Sequence, residues 1–258
     1  MFSTNHFIWV AICIVLTVGI VFFCREKRLS MEKALTWACI MCLLSESVKV
    51  ATYSEVIPNI ATGNPTIYIG SQHLPLHMCS IQIPLIVFAR LTKNKDLRNS
   101  LLGIMYPLCM IGGITAIAMP SVFNTTISAS EAFTHPIAYQ TFLYHVVLLV
   151  LGIYIRLSGE VKMNRMTFVK SLLMYYTFVV ISIYVNSALA APVYENGVVK
   201  YLEFAPNFMF TSSKPVAFMG FDSKGTWALY MLSYLTCVVL LFALFFVKEL
   251  CAKKEQES

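Results

Sequence analysis

Apolar residues in this chain come in long runs with short polar breaks: windows near 6–24, 31–51, 74–92, 99–119, 136–156, 167–190 and 225–247 could each span a bilayer. Hydrocarbon about 30 Å thick takes ~20 helical residues to cross. The pattern predicts an all-α fold: a polytopic transmembrane bundle of seven helices, forming a single integral membrane domain over residues 1–258. The window 31–51 is the most polar, carrying Glu46 and Lys49 near its end. Three-residue spacing makes those two a local ion pair near the headgroups. The breaks are uneven, since the connections on one side are short while those on the other run roughly 52–73, 120–135 and 191–224. Long irregular stretches in compact proteins tend to be functional, which places the working face on the side of the long loops.

Composition agrees with the pattern. The 258 residues are 58% hydrophobic and only 12% charged, and the mean hydropathy is +0.71, values of the integral-membrane class. Fifteen of the 19 Lys and Arg residues fall on the short-loop side, including Arg25, Lys27, Arg28, Lys93, Lys95, Arg156, Lys253 and Lys254. The preference of basic residues for cytoplasmic loops then sets the N-terminus outside and the C-terminus in the cytosol of a multi-pass cell-membrane protein. Topology and anionic inner-leaflet lipid account for the net charge of +6, so no nucleic-acid partner is called for. The first span has no basic region before it and no small-residue cleavage site after it, and reads as a retained signal anchor. Eight cysteines are scattered over spans and cytosolic ends without pairing in the outer loops, so no disulfide framework is suggested. Cys39 and Cys42 spell CxxC on an apolar helix, without the context of a redox or zinc motif.

Ionisable side chains within a bilayer cost at least ~2.5–3.5 kcal/mol on insertion scales and default to functional candidates. The run Leu74-Pro75-Leu76-His77-Met78-Cys79-Ser80 puts an imidazole, a thiol and a hydroxyl at the start of the third span, followed by Gln82. His145 stands on the fifth span with Gln140 and Tyr144, and Ser182, Asn186 and Ser187 on the sixth. With Glu46, four helices contribute polarity at one level. Each group needs a partner there, and a shared cavity is the least costly arrangement. Pro75 suits the first turn of a helix, which would set His77 and Cys79 beside unpaired backbone donors; Pro84 should bend the helix further on. Glycines at 103, 112 and 113 permit close packing of the fourth helix. The blander alternatives are a structural hydrogen bond for His145, interfacial solvation for His77, core packing for Cys79 and interhelical glue for Asn186.

Three segments together carry a resemblance: LPLHMCSIQIPL from Leu74, YHVVLLVLGIY from Tyr144, and Val185-Asn186 followed by NFMF at Asn207 and Lys214-Pro215. As a set they resemble the bacterial YwaF-like family of integral membrane proteins. More distantly they are similar to eukaryotic multispanning acyltransferases that move fatty acyl chains between phospholipids, and to androgen-induced membrane hydrolases of fatty-acid esters. The resemblance implies a nucleophile and a histidine on separate helices, with His145 at the catalytic histidine and Asn207 at a polar position beside the site. In the acyltransferases the nucleophilic cysteine immediately precedes the histidine of the third-helix motif, where this chain has Leu76. Cys79 and Ser80 lie one helical turn beyond Leu76 on the same face and offer a displaced nucleophile. Cys79 ranks first because thiolate is the stronger nucleophile near neutral pH.

The expectation is a lipid acyltransferase or acyl-ester hydrolase facing the outer leaflet and acting on a phospholipid or fatty-acyl lipid. His145 serves as base toward Cys79, His77 as oxyanion or headgroup partner, and Asn207, Asn186, Ser80 and Gln82 as binding or orienting groups, with no cofactor and no metal. The alternative is a non-catalytic transporter or solute-binding component using the same cavity, against which stand the lack of an internal repeat and of acidic groups other than Glu46 in the spans. A retinal photoreceptor is excluded, since the last span holds no central lysine and Lys224 and Lys248 sit at its ends. A zinc or copper site of His77, Cys79 and His145 would lack an acidic second shell.

Overall fold

The computed structural model describes residues 2–252 except 60, 62, 121, 126, 196 and 213–222. Lys214 and Pro215 of the late motif, and Lys253 and Lys254 of the basic tail, lie outside the described residues. In chain order the elements are α1 (Thr4–Glu26), α2 (Met31–Tyr53), β1 (Ser54–Pro58), β2 (Pro65–Ile69), α3 (Gln82–Leu91), α4 (Lys95–Ala118), α5 (Val122–Thr125), α6 (Pro136–Leu157), α7 (Arg165–Ala188), β3 (Ala191–Glu195), β4 (Val198–Phe204), α8 (Lys224–Phe245) and α9 (Val247–Cys251). Among the described residues six helices, α1, α2, α4, α6, α7 and α8, are long and apolar enough to cross a membrane. The sequence dictates where most of them start. Ser3, Ser30, Asn94 and Asn164 each accept a backbone N–H of the first turn that follows, as does Ser223 in a capping box with Thr226. His135 does the same through Nδ1, with Pro136 behind it at the first helical position.

The expected third span departs from this pattern. Only Gln82–Leu91 is helical, ten residues or about 15 Å at 1.5 Å each, half a bilayer. Ahead of it the chain runs through a 3-10 turn at Ser71–His73 and further turns from Leu74 to Ile81. Pro75 therefore sits in a turn and not in a first helical turn, and the helix-start environment expected for His77 and Cys79 is absent. Pro84 takes that position in α3 instead, where its missing N–H is not required. The 3-10 turn is pinned by His73, whose ring stacks on Tyr53 at 3.8 Å; burial first, and Lys49 second, hold its pKa below the usual value. Two of the expected irregular loops contain antiparallel hairpins, β1–β2 and β3–β4. Their alternation is hidden in sequence because residues on both faces are apolar.

The chain divides into two compact units, residues 1–75 with 79–162, and residues 76–78 with 163–258. In the first, α6 packs against α1, α2 and α4. At one end Trp9 stacks on Phe142 at 4.7 Å and on Phe133 at 5.4 Å, and its indole N–H donates to the Ala132 carbonyl at 2.8 Å. Near the basic end Arg90 of α3 reaches α2 twice, through Thr36 Oγ1 at 2.7 Å and Glu32 at 3.3 Å. Across the α4–α6 contact a Cβ on Gly113 would meet Leu149 Cβ at 3.0 Å and the His145 carbonyl at 3.1 Å, while one on Gly152 would meet Met110 Sδ at 3.0 Å. Glycine on both helices lets the backbones approach, the packing role expected of the α4 glycines.

In the second unit α7 and α8 share a tyrosine contact, with the buried Tyr175 hydroxyl bonded to that of Tyr234. Arg165 at the start of α7 donates to the carbonyls of Glu249, Leu250 and Ala252, capping the end of α9. Replacing Trp9 by Ala removes the aromatic stack of the first unit and should cost about 3–5 kcal/mol, read as a lowered unfolding temperature of the detergent-solubilised protein with helix content unchanged below the transition.

Candidate functional site

Within the first unit three elements meet around Cys79. The turn segment ahead of α3 carries it, α4 backs it through Gly112, whose added Cβ would lie 3.6 Å from both Cα and Cβ of Cys79, and α6 fixes it from the other side. The Tyr144 hydroxyl donates to the Cys79 carbonyl at 2.8 Å. A non-helical backbone among membrane helices must find partners in protein, and Tyr144 supplies one. Ser80 Oγ lies 3.8 Å from the Cys79 sulfur. Gln82 is fully buried at the start of α3 and accepts from the Cys109 thiol at 3.5 Å.

One turn of α6 sets the state of His145. Its Nδ1 lies 2.6 Å from the Thr141 carbonyl, and a carbonyl only accepts, so Nδ1 carries the proton. In the neutral ring Nε2 is then the bare lone pair. This Nε2 is buried with no formed hydrogen bond. Cys79 is its side-chain neighbour, and thiol and ring interact. Tyr144 contacts the same ring edge-on at 5.1 Å.

A groove of about 380 Å³ runs between α2 and α6, walled by Met41, Leu44, Val48, Leu143, Val147 and Tyr144. Gln140 Nε2 donates across it to Ser45 Oγ at 2.8 Å. Tyr144 thus faces the groove with its ring and holds Cys79 with its hydroxyl. Farther along α2, Lys49 and Glu46 form the expected ion pair at 2.6 Å.

Of the residues expected at the site, Cys79, Ser80, Gln82 and His145 belong to this unit, and His77, Asn186 and Asn207 to the other. His77 packs its ring against Phe208 at 5.0 Å. Asn186 is buried on α7 and clamps the loop after β4: Nδ2 donates to the Phe208 carbonyl at 3.1 Å and to Thr211 Oγ1 at 2.7 Å, and Oδ1 accepts the Phe208 N–H at 3.0 Å. Asn207 Oδ1 accepts the Ser212 N–H at 3.0 Å. Trp227 and Tyr230 of α8 bind the carbonyls of Thr211 and Phe210. These contacts hold Met209 and Phe210 at positive φ, 53° and 56°, a conformation that non-glycine residues keep only when over-determined. The two asparagines are loop organisers here.

Sequence reasoning did not assign Thr141 or Gly112 to the site, and it placed Tyr144 among the polar groups of the shared cavity without giving it a role. Thr141 acts through its carbonyl, which any residue would supply. Tyr144 had a signal, a phenol beside a buried histidine in an apolar span, and buried phenols require an acceptor. Among the described residues no group of three or more His, Cys, Asp or Glu side chains is arranged to hold a metal ion.

The model of the TMEM164 family matches residues 1–246. No curated protein and no solved structure matches the chain.

Tyr144→Phe leaves the Cys79 carbonyl without its donor, at a cost of about 1–3 kcal/mol. The expected result is a modest fall in thermal stability together with faster alkylation of Cys79 by a membrane-permeant maleimide; unchanged alkylation would show that Tyr144 does not hold the segment.

Proposed function

The chain belongs to the TMEM164 family, and we propose, on the geometry around His145, that it is a membrane lipid acyltransferase or acyl-ester hydrolase with Cys79 as nucleophile and His145 as base. The observation that carries the reading is the buried, unsatisfied Nε2 of His145 with the Cys79 thiol beside it. A general base needs one nitrogen held and one free. His6 on α1 has the same pattern, with Nε2 on the Ile117 carbonyl at 3.0 Å and Nδ1 buried without a partner, and what sets His145 apart is the thiol beside its bare nitrogen. The likeness of the three motifs to acyltransferases and membrane ester hydrolases points the same way, with Cys79 in place of the cysteine that Leu76 replaces.

The chemistry follows from the two side chains. Nε2 takes the thiol proton as sulfur attacks the ester carbonyl carbon of the lipid. The tetrahedral intermediate collapses by breaking its bond to the alkoxide oxygen, which receives the proton from Nε2–H and leaves as the lysolipid alcohol. Cys79 then carries the acyl group as a thioester. Water or a second lipid hydroxyl attacks that carbonyl, gives its proton to Nε2, and the sulfur departs and recovers it. The groove between α2 and α6 is the place for an acyl chain, since Tyr144 is shared by the groove and the Cys79 segment.

The topology we assign puts the N-terminus outside and the C-terminus in the cytosol of a cell-membrane protein, on the asymmetry of basic residues. The Leu74–Thr92 segment is a seventh membrane element, held at Cys79 by the Tyr144 hydroxyl of α6.

The test is turnover of labelled phospholipid by purified protein in detergent or vesicles. Cys79→Ala and His145→Ala should each lose about 10³-fold or more, and the double variant little beyond either, because residues acting as a unit are non-additive. Ser80→Ala should keep most of the activity. Full turnover in the Cys79 and His145 variants would remove the chemistry, and uptake of a solute abolished by His145→Ala would replace it with transport.

A further inference from the structure

We propose that the β3–β4 hairpin is an interfacial membrane anchor, resting in the headgroup layer at the bilayer surface where α7 ends. A two-stranded hairpin is marginal in water without a layer to cover it. This one leaves a paired apolar face uncovered: Pro192 opposite Leu202 and Tyr194 opposite Val199, with Tyr194, Val199 and Leu202 exposed by 64%, 46% and 50%. The register skips Lys200 and Glu203, so the pairing residues of β4 are Val198, Val199, Tyr201, Leu202 and Phe204 while both skipped residues are charged. Lys200 forms an ion pair with Glu195 near the tip of the hairpin.

The occupant is identified by continuity with the lipid-facing surface of α7. Two residues separate Ala188 from β3, and the last turns of α7 already expose Val180, Ile181 and Tyr184, the last by 73%. Tyrosine at the junction of an apolar span and a polar loop is the signature of the membrane–water boundary. Depth is bounded from both sides. Both edges of a lone hairpin carry unpaired backbone groups, which hydrocarbon does not satisfy, and the exposed Tyr and Val side chains gain by leaving water. The headgroup layer meets both conditions. The first unit repeats the device independently: β1 follows α2 with no intervening residue, and its directly paired Val56 and Ile67 are exposed by 72% and 74%.

The experiment places a tryptophan on the hairpin of the full-length protein, Tyr194→Trp and separately Val199→Trp, reconstituted in phosphatidylcholine vesicles with or without bromine on the upper acyl carbons. The added emission is taken by difference from the unsubstituted protein. It should be blue-shifted, lose intensity in the brominated vesicles and resist aqueous iodide. Emission at the water-exposed wavelength with iodide quenching and no response to bromine would overturn the proposal. Shielding from both quenchers would overturn it equally, by placing protein against that face. Two positions keep the outcome readable if one variant fails to fold.

Discussion

A neutral imidazole surrounded by apolar helices carries its proton on one nitrogen, and in α6 the carbonyl of Thr141 makes that choice. The rest of the proposed chemistry depends on this bond. With Nδ1 committed, Nε2 is held as a buried lone pair, and burying an unsatisfied polar atom costs free energy. The Cys79 thiol beside it is the natural recipient of that basicity.

Gly113 on α4 makes the close approach of α6 sterically possible. Gly112 lies against Cys79, and Gly113 lies against the backbone of α6 at His145 and Leu149. A Cβ at 113 would press on Leu149 Cβ at 3.0 Å and the His145 carbonyl at 3.1 Å and push α6 away, whereas one at 112 would make ordinary contact with Cys79 at 3.6 Å. Tyr144 closes the arrangement from α6, so the turn segment carrying Cys79 is bound by a glycine contact on one side and a hydrogen bond on the other.

The spanning helices were legible in the sequence because a bilayer imposes one period and one length, and caps such as Ser3, Asn94 and Asn164 set their starts to within a few residues of the apolar windows. The third span was not. Residues 74–81 are as apolar as their neighbours, and hydropathy does not distinguish a helix from turns packed inside protein. His145 and Cys79 stood out because ionisable or nucleophilic groups are costly or conspicuous in such a span. His77 lies in the second unit with its ring against Phe208, a contact that its closeness in sequence to Cys79 does not announce. Asn186 and Asn207 were visible as polar residues, yet their partners are backbone groups of a loop whose positive φ values no periodicity encodes.

The two-step chemistry leaves a covalent trace that binding or transport does not. Purified protein mixed with labelled phospholipid, quenched in acid and digested, is examined by mass spectrometry for the peptide containing Cys79. The account predicts an acyl adduct on Cys79, released by neutral hydroxylamine as a thioester is, and absent from His145→Ala protein. Lipid turnover with Cys79 unmodified, or with the acyl group on Ser80 as a hydroxylamine-resistant ester, would contradict it.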